Sequence, residues 1–264
     1  MRATPSIKSA KVFGLVLGLF LAGCQTGHIP NPNDPADVGP LPGKTVRKNL
    51  QSITDALFQR RVKDEIDEKT YQSLVSKAAA EMVGSVDVST INPSDAWQYG
   101  VMLRDARNWK AAEAFLKVAV ENARKTKNED RRINDSLQLA RVYCEEGKVE
   151  EGLNLARSTF DASAKDAAPI LFGVYLEIVP ASQGKGHDLE LAKLVEDAIE
   201  MNHKVQVDPN SDAGKRFIVA RPMHEGRAWQ VVADLYGRAG KSDLAKKAEE
   251  KANALHDRSL RRPA

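Results

Sequence analysis

Residues 227–256 decide the fold, and they read RAWQVVADLYGRAGKSDLAKKAEEKANALH. Trp229, Ala233 and Tyr236 recur at helical spacing, so their side chains share one face of a predicted helix. Gly240 follows at the position where the chain must reverse. Small side chains then line the return segment, at Ala245, Ala248 and Ala252. Because two helices that cross closely need small residues where they touch, this stretch predicts a tight antiparallel helical hairpin.

The same order of residues occurs twice earlier in the chain. The first copy has Ala96, Tyr99, Gly100 and Leu103, a turn at Asn108-Trp109, and then Ala112, Leu116 and Ala119. The second copy has Ser136, Leu139, Ala140 and Tyr143, a turn at 147–149, and then Gly152, Leu155 and Ala156. A degenerate pair of helices is expected before the last copy, at 169–179 and 189–202. Recurrence of one such unit predicts a stacked array in which neighbours bury each other's apolar faces.

The repeated unit resembles the tetratricopeptide repeat, and the last copy matches it at Trp229, Ala233, Tyr236, Gly240, Ala245 and Ala252. The loop with Gly184 and Gly186 is similar to a Sel1 repeat. The copies are spaced more widely than the 34 residues of a standard tetratricopeptide repeat, so extra residues near 125–131 and 205–227 are expected to lengthen helices or form loops. The resemblance implies an all-α fold, a helical-hairpin α-solenoid.

The tetratricopeptide resemblance also implies a concave groove, formed by the inner helix of each hairpin, that captures a peptide or a partner's helix. Carried over one position at a time, the groove residues are Trp97, Val101 and Arg104 in the first copy, Asn134, Leu137 and Arg141 in the second, and Arg227, Gln230, Asp234 and Arg238 in the last. Guanidinium groups bind carboxylates in a fork, so these arginines favour an acidic or C-terminal peptide. The alternative is that they are ordinary solvated arginines on exposed helices.

The N-terminal residues have the layout of a secretory signal. Arg2, Lys8 and Lys11 precede an apolar run at 12–22 that is too short to span a bilayer. The following Leu21-Ala22-Gly23-Cys24 resembles the lipobox of bacterial lipoproteins, which implies cleavage before Cys24 and acylation of its sulfur and its new amino group. By the same resemblance, Gln25 in place of an aspartate favours the outer membrane, facing the periplasm. The alternative is a fortuitous cysteine in an ordinary signal peptide or in a buried helix.

A proline-rich linker at 24–43 separates this signal peptide, at 1–23, from the helical body. The linker offers almost nothing to bury, so it is expected to be an extended tether. Helices are predicted at 45–63 and from Asp67, a candidate N-cap, to about Gly84, and they form a hairpin within 44–90. The repeat domain is expected at 91–257, followed by a C-terminal tail at 258–264.

The charge and cysteine content exclude two classes of interaction. The full chain carries a formal net charge of +3, but Arg2, Lys8 and Lys11 would leave with the signal peptide, so the mature chain is neutral and gives no case for a nucleic-acid partner. With Cys24 acylated, Cys144 is the remaining thiol and no intramolecular disulfide can form. Its place in an amphipathic pattern favours burial, and pairing with another chain is the alternative.

No motif for catalysis, a cofactor or a metal is complete in this sequence. His224-Glu225 begins like a zinc helix, but Ala228 stands where the second histidine is required. The triplet Gly240-Lys241-Ser242 ends like a phosphate loop, but Leu235 replaces its first glycine. We therefore expect a protein that is not an enzyme and that holds neither cofactor nor metal.

These expectations combine into a lipid-anchored scaffold that binds other proteins or peptides of the bacterial cell envelope. Two alternatives remain open. One is an envelope or cell-wall enzyme whose site lies within 160–228, in residues that no motif identifies. The other is a module that binds small ligands or the cell wall.

Overall fold

The computed structural model describes residues 42–84 and 86–260, with side chains as far as 256. The expected signal peptide, the lipidation residue Cys24, the linker up to residue 41 and the last residues of the C-terminal tail lie outside the described residues. In the described part every regular element is helical, so the predicted all-α fold is confirmed. None of the helices in this part is long and apolar enough to cross a bilayer.

The helices are labelled α1 to α10 in chain order. They are α1 (Gly43–Val62), α2 (Glu68–Val83), α3 (Ala96–Asp105), α4 (Trp109–Lys125), α5 (Glu129–Glu145), α6 (Val149–Arg157), α7 (170–182), α8 (Asp188–Lys204), α9 (Asp212–Arg238) and α10 (Ser242–Leu260). Within α7, a π-helical segment (Gly173–Ile178) lies between two short α-helical turns (Ile170–Phe172 and Val179–Ser182). Two 3₁₀ turns (Val88–Thr90 and Pro93–Asp95) join α2 to α3.

Consecutive helices pack against each other as hairpins, and the hairpins stack. The most extensive packing joins α9 to α10, α4 to α5, and α3 to α4. The helices α1, α3, α5 and α7 also contact one another in succession and form one continuous layer, which we call the odd layer. Because the loops within hairpins hold only a few residues, the paired helices run antiparallel. The predicted solenoid of helical hairpins is therefore confirmed.

The tight reversals between helices share one conformation. Their left-handed residues are Arg107, Lys127, Gly147 and Gly240, with φ between 54° and 83°. After Gly147, the amide of Lys148 donates to the carbonyl of Tyr143 at 2.9 Å. This bond, which spans five residues, is the helix cap that favours glycine in the left-handed position. The reversals predicted at Gly147 and Gly240 are thus confirmed, and the same turn forms at two positions that lack glycine.

Polar side chains cap the helix starts. In front of α2, the Asp67 carboxylate accepts a hydrogen bond from the Thr70 amide at 2.7 Å, so the predicted N-cap is confirmed. In front of α5, Asn128 accepts from the Arg131 amide at 3.1 Å. Each cap satisfies an amide that has no intrahelical partner, which fixes where the helix begins.

The N-terminal hairpin shares its core with the repeats. Val46 and Leu50 of α1 and Val83 of α2 are buried in the same apolar cluster as Tyr99 and Leu103. The described residues from 42 onward accordingly belong to one compact unit, in which 44–90 is not separated from 91–257. A second cluster extends from α5 to α10.

The extra residues expected near 125–131 and 205–227 mostly lengthen helices. The turn between α4 and α5 is short, because α4 continues to Lys125 and α5 begins at Glu129. The long helix α9 begins at Asp212, ahead of the hairpin motif, and continues through Pro222. At the other end of the chain, α10 extends to Leu260, beyond the start of the tail expected at 258–264.

Cys144 is fully buried in the second cluster, as the sequence favours. Burial raises the pKa of its thiol, because the thiolate would lie in an apolar surrounding. The thiol is therefore neither exposed nor activated for exchange with another chain.

Candidate functional site

The groove residues inferred from the repeat resemblance lie on α3, α5 and α9. The structure brings two of their arginines, Arg104 of α3 and Arg141 of α5, to the same acidic side chain, Glu177 of α7. The remaining two, Arg227 and Arg238, lie on α9 with other neighbours. The candidate site is therefore centred on the odd layer, where α3, α5 and α7 adjoin.

A network of charged hydrogen bonds links these three helices. The Arg104 guanidinium donates to Asp105 Oδ1 through Nη2 at 2.6 Å and through Nε at 3.0 Å, and to Gln138 through Nη1. Arg141 donates to Glu177 through Nη1, and Glu177 Oε2 also lies 3.9 Å from Arg104 Nη1. Glu177 is thus an intramolecular carboxylate shared by both arginines. Sequence reasoning missed Glu177, which the π-helical segment presents to the arginines.

A cavity of about 360 Å³ opens beside this network. Arg104, Arg107 and Arg141 line it together with Asp105 and Glu145, and α2 contributes further lining residues. The cavity wall thus contains three guanidinium groups and two carboxylates, so positively charged groups are in excess among these five side chains. Arg141 Nε is buried and has no hydrogen-bond partner among the described residues. Arg107, by contrast, is exposed and takes part in none of the described ion pairs, so its guanidinium can bind a further carboxylate.

Trp97 is covered by the protein's own cations. The Arg131 guanidinium carbon lies 3.8 Å from the centre of the Trp97 ring, and that of Arg47 lies 4.6 Å from it. Arg131 in turn forms an ion pair with Asp135, one turn further along α5. The Trp97 ring is half-buried between α1 and α5 and holds these helices together through cation–π contacts.

Leu137, another of the inferred groove residues, belongs to the core. It is only 2% exposed, and a Cβ added at Gly173 would lie 2.6 Å from its Cδ1 atom. Leu137 therefore fills the contact between α5 and α7. Val101 and Asn134 are half-buried, and Asn134 Nδ2 donates to the Asp130 carbonyl at 2.7 Å.

The groove residues of the last copy do not join the Arg104–Arg141 network. Arg227 and Gln230 line a different cavity, of about 370 Å³, between α9 and α10. Arg238 Nε lies 3.3 Å from Asp188 Oδ1 at the start of α8. Asp234 is exposed. These side chains lie at the C-terminal end of the array, separate from the candidate site.

Asp135 is a buried carboxyl group that sequence reasoning also missed. It is 2% exposed, and burial raises its pKa from 3.8 to about 6 even though the nearby Arg131 opposes this shift. An arginine four residues before an aspartate on a predicted helix was the available signal. Asp135 lies beneath Arg131 and thus supports the cation that covers Trp97.

We expect Asp135→Asn to change how stability depends on pH. The folded-state pKa lies above the usual value, so between about pH 4 and 6 the folded protein holds a proton that the unfolded chain has lost. The contribution of Asp135 to stability therefore falls as the pH rises through this window, by about 2–3 kcal/mol in total. The variant should lack this part of the slope. Urea unfolding at a series of pH values between 4 and 7.5 measures it.

The matched control for this prediction is Asp130→Asn, which removes an exposed carboxylate from the same helix. It should leave the slope of stability against pH unchanged between pH 4 and 6. Equal slopes for the wild-type protein and Asp135→Asn would contradict the raised pKa of Asp135.

Within the described residues, no group of three or more histidine, cysteine, aspartate or glutamate side chains is arranged to hold a metal ion. Asp105, one of the two carboxylates at the cavity, forms an ion pair with Arg104.

No protein-family model matches the chain, and no curated protein matches it. Among solved structures, it is similar to a crystal structure of nearly identical TPR-like repeats from Podosopora anserina. The two share 16% sequence identity with a TM-score of 0.48, and the match covers 82% of this chain and 99% of that one.

Proposed function

We propose that this protein is a non-catalytic scaffold that binds other proteins or peptides through the odd layer of its helical hairpins. The observation that carries the proposal is the meeting of Arg104 and Arg141, from successive hairpins, beside a cavity of about 360 Å³. Side chains from different repeats converge there on one open surface. A peptide lying across α3 and α5 would contact both arginines at once.

The chemistry of this surface favours a partner with a carboxylate, either an acidic side chain or a C-terminus. Arg107 at the cavity is exposed, and Arg141 Nε has no hydrogen-bond partner in the described part of the chain. Guanidinium groups bind carboxylates through paired, charge-assisted hydrogen bonds. Glu177 already supplies one carboxylate to both arginines, so the carboxylate of a partner would join Glu177 or displace it.

We also propose that Cys24 carries the lipid that anchors the protein to a bacterial membrane, with the outer membrane facing the periplasm as the favoured location. The lipobox-like residues 21–24 support the anchor, and Gln25 supports the choice of membrane. The proline-rich linker would allow the helical body to reach roughly 50 Å from the lipid, at about 3 Å per residue. Partners in the envelope are then within reach without being membrane-bound themselves.

Reversing both charges, with Arg104→Glu and Arg141→Glu together, should reduce recovery of cross-linked partners from envelope extracts at least about tenfold. The removal of two desolvated charge pairs from the centre of an interface is enough for such an effect. Quantitative mass spectrometry after cross-linking in the cell measures the recovery. Since the double variant also places new carboxylates beside Glu177, circular dichroism must show that it keeps its helical content.

A second variant and a control complete this test. None of the described ion pairs involves Arg107, so Arg107→Glu reverses a charge at the cavity while leaving the ion pairs intact, and it should weaken recovery several-fold. Lys110→Glu with Arg124→Glu makes the same charge change on exposed positions of α4, and recovery should remain at the wild-type level. Unchanged recovery with both cavity variants would refute this surface as the binding site.

A further inference from the structure

Buried polar atoms without partners are concentrated at a second place in the molecule. Among the described residues, such atoms are Ser136 Oγ, Arg141 Nε, Asn202 Oδ1, Arg221 Nε and His224 Nδ1. The last three belong to residues that line a single cavity of about 280 Å³. Native proteins leave few buried polar groups unpaired, and each one needs an explanation. Three residues that carry such groups therefore line one cavity.

The cavity lies where α7, α8 and the first half of α9 adjoin, and its wall is partly aromatic. Phe172 and Phe217 both line it. The His224 ring stands edge-on to Phe172, with ring centres 4.7 Å apart and an angle of 77°. The Arg221 guanidinium carbon lies 4.7 Å from the centre of the Phe217 ring. Aromatic lining residues suit a ligand that itself carries an aromatic ring.

Asn202 contributes a hydrogen-bond acceptor. It is 2% exposed, and its Nδ2 donates to Glu225 Oε1 at 2.8 Å. A carboxylate oxygen can only accept a hydrogen bond, so the end of the Asn202 amide that faces Glu225 must be its NH2 group. Asn202 Oδ1 is therefore an acceptor, and none of the described residues donates to it.

Arg221 and His224 contribute the complementary groups. Arg221 Nη2 donates to the Val205 carbonyl at 3.2 Å, which holds the guanidinium in place and leaves Nε as an unused donor within the described residues. Burial and the nearby Arg227 lower the pKa of His224, so its ring is neutral at pH 7. A neutral imidazole has one donor nitrogen and one acceptor nitrogen. The cavity residues thus offer both an acceptor and donors to a ligand.

We infer that this cavity binds a small planar molecule that carries an N–H donor beside a carbonyl acceptor, as an aromatic carboxamide does. Arg216 and Arg221 both line the cavity and would attract a carboxylate. A carboxylate nevertheless supplies acceptors alone, so it would leave Asn202 Oδ1 unpaired, and Glu225, which accepts from Asn202 Nδ2, would repel it. A hydrocarbon would leave all three atoms unpaired. The cavity volume of about 280 Å³ is large enough for a ligand with a single aromatic ring. The three unpaired atoms are closed to bulk water in the empty protein, so the proposal requires the Arg221 and His224 side chains to turn toward the ligand when it binds.

The test uses three probes that each carry one phenyl ring, benzamide, benzoate and toluene, on the purified protein. Saturation-transfer NMR detects binding, and titration gives the dissociation constant. Benzamide should bind saturably with a Kd of about 1 mM or lower, as expected for a fragment of this size. Benzoate and toluene should bind at least about tenfold more weakly, because each leaves polar atoms in the cavity unpaired.

Ala220→Phe should abolish benzamide binding, because Ala220 lines the cavity and a phenyl ring there would fill it. Ala213→Phe makes the same change at an exposed position in the first turn of α9, and it should leave the Kd unchanged. If Ala220→Phe does not fold, His224→Phe serves instead. In this variant an apolar phenyl ring takes the place of the imidazole ring and of its unpaired nitrogen.

His224→Phe also separates a ligand-binding role from a structural one. If His224 had a structural role, its replacement by phenylalanine would lower the melting temperature of the protein. An unpaired nitrogen that serves a ligand costs stability in the empty protein, so its removal should raise the melting temperature while weakening benzamide binding at least about fivefold. The proposal of a carboxamide site would be refuted if benzamide showed no saturable binding, or if it bound no more tightly than benzoate or toluene. It would also be refuted if Ala220→Phe folded and still bound benzamide.

Discussion

Gly152→Val is expected to lower the free energy of unfolding by about 3 kcal/mol or more, because α6 approaches α5 too closely for any side chain at this position. A Cβ added at Gly152 would lie 2.5 Å from Cys144 Sγ and 2.7 Å from the Ala140 carbonyl oxygen. The carbonyl belongs to the backbone of α5, so it can move only if the whole helix shifts. Chemical unfolding followed by circular dichroism measures the loss.

Gly237 provides the matched control for this prediction. It lies in α9, and a Cβ added there meets no atom within 4 Å. Gly237→Ala should therefore stabilise the protein by about 0.5–1 kcal/mol, since alanine loses less backbone entropy than glycine on folding into a helix. Gly152→Ala makes the same substitution as Gly237→Ala and should instead destabilise the protein, because its Cβ already meets the backbone of α5. If Gly152→Ala stabilised the protein, the close crossing of α5 and α6 would be refuted.

The second large effect is expected at Cys24, where the proposed lipid anchor would be lost. In a variant with an ordinary cleavable secretory signal in place of residues 1–23 and with Cys24→Ser, nearly all of the protein should move from the membrane fraction to the soluble fraction. Each buried methylene contributes about 0.8 kcal/mol, so two or three acyl chains hold a protein stably and their loss releases it. Fractionation and metabolic labelling with an alkyne fatty acid measure the change.

The other cysteine is the control for the anchor. Cys144→Ser leaves residues 21–24 intact, so the protein should remain in the membrane fraction and keep its lipid label. Cys144 is fully buried, and its thiol is therefore closed to acylation in the folded protein. A label that persists after Cys24→Ser, or that is lost with Cys144→Ser, would contradict acylation at Cys24.

The hairpins and their turns could be predicted from the sequence because they depend on neighbours within a few residues. Helical spacing of apolar side chains identified the packed faces, and the left-handed turns at Gly147 and Gly240 followed from the glycines themselves. The cap at Asp67 is equally local. The turn at Asn108-Trp109 was predicted from the repeat, but glycine is absent there, and nothing in the sequence identified Arg107 or, in the next turn, Lys127 as the left-handed residue.

The candidate site was only partly predictable. Arg104 and Arg141 were inferred as groove residues, but nothing in the residue pattern separates them from Arg227 and Arg238, which lie elsewhere. Glu177 was missed because a π-helical segment shifts the register of α7. The spacing of apolar residues along the sequence does not reveal such a shift. Leu137 was inferred as a groove residue on repeat position alone, whereas contact with Gly173 buries it.

The sequence by itself therefore determined the all-α character of this protein, the order of its hairpins and most of their turns, since these follow from the helical period and from local hydrogen bonding. Only the tertiary structure decided which side chains meet. The Arg104–Arg141–Glu177 network joins alternate helices of the array, and the cavity at Asn202, Arg221 and His224 is formed where α8 and α9 meet Phe172 of α7. Such convergence depends on the angles and offsets at which helices stack, and those are set by packing across the whole core.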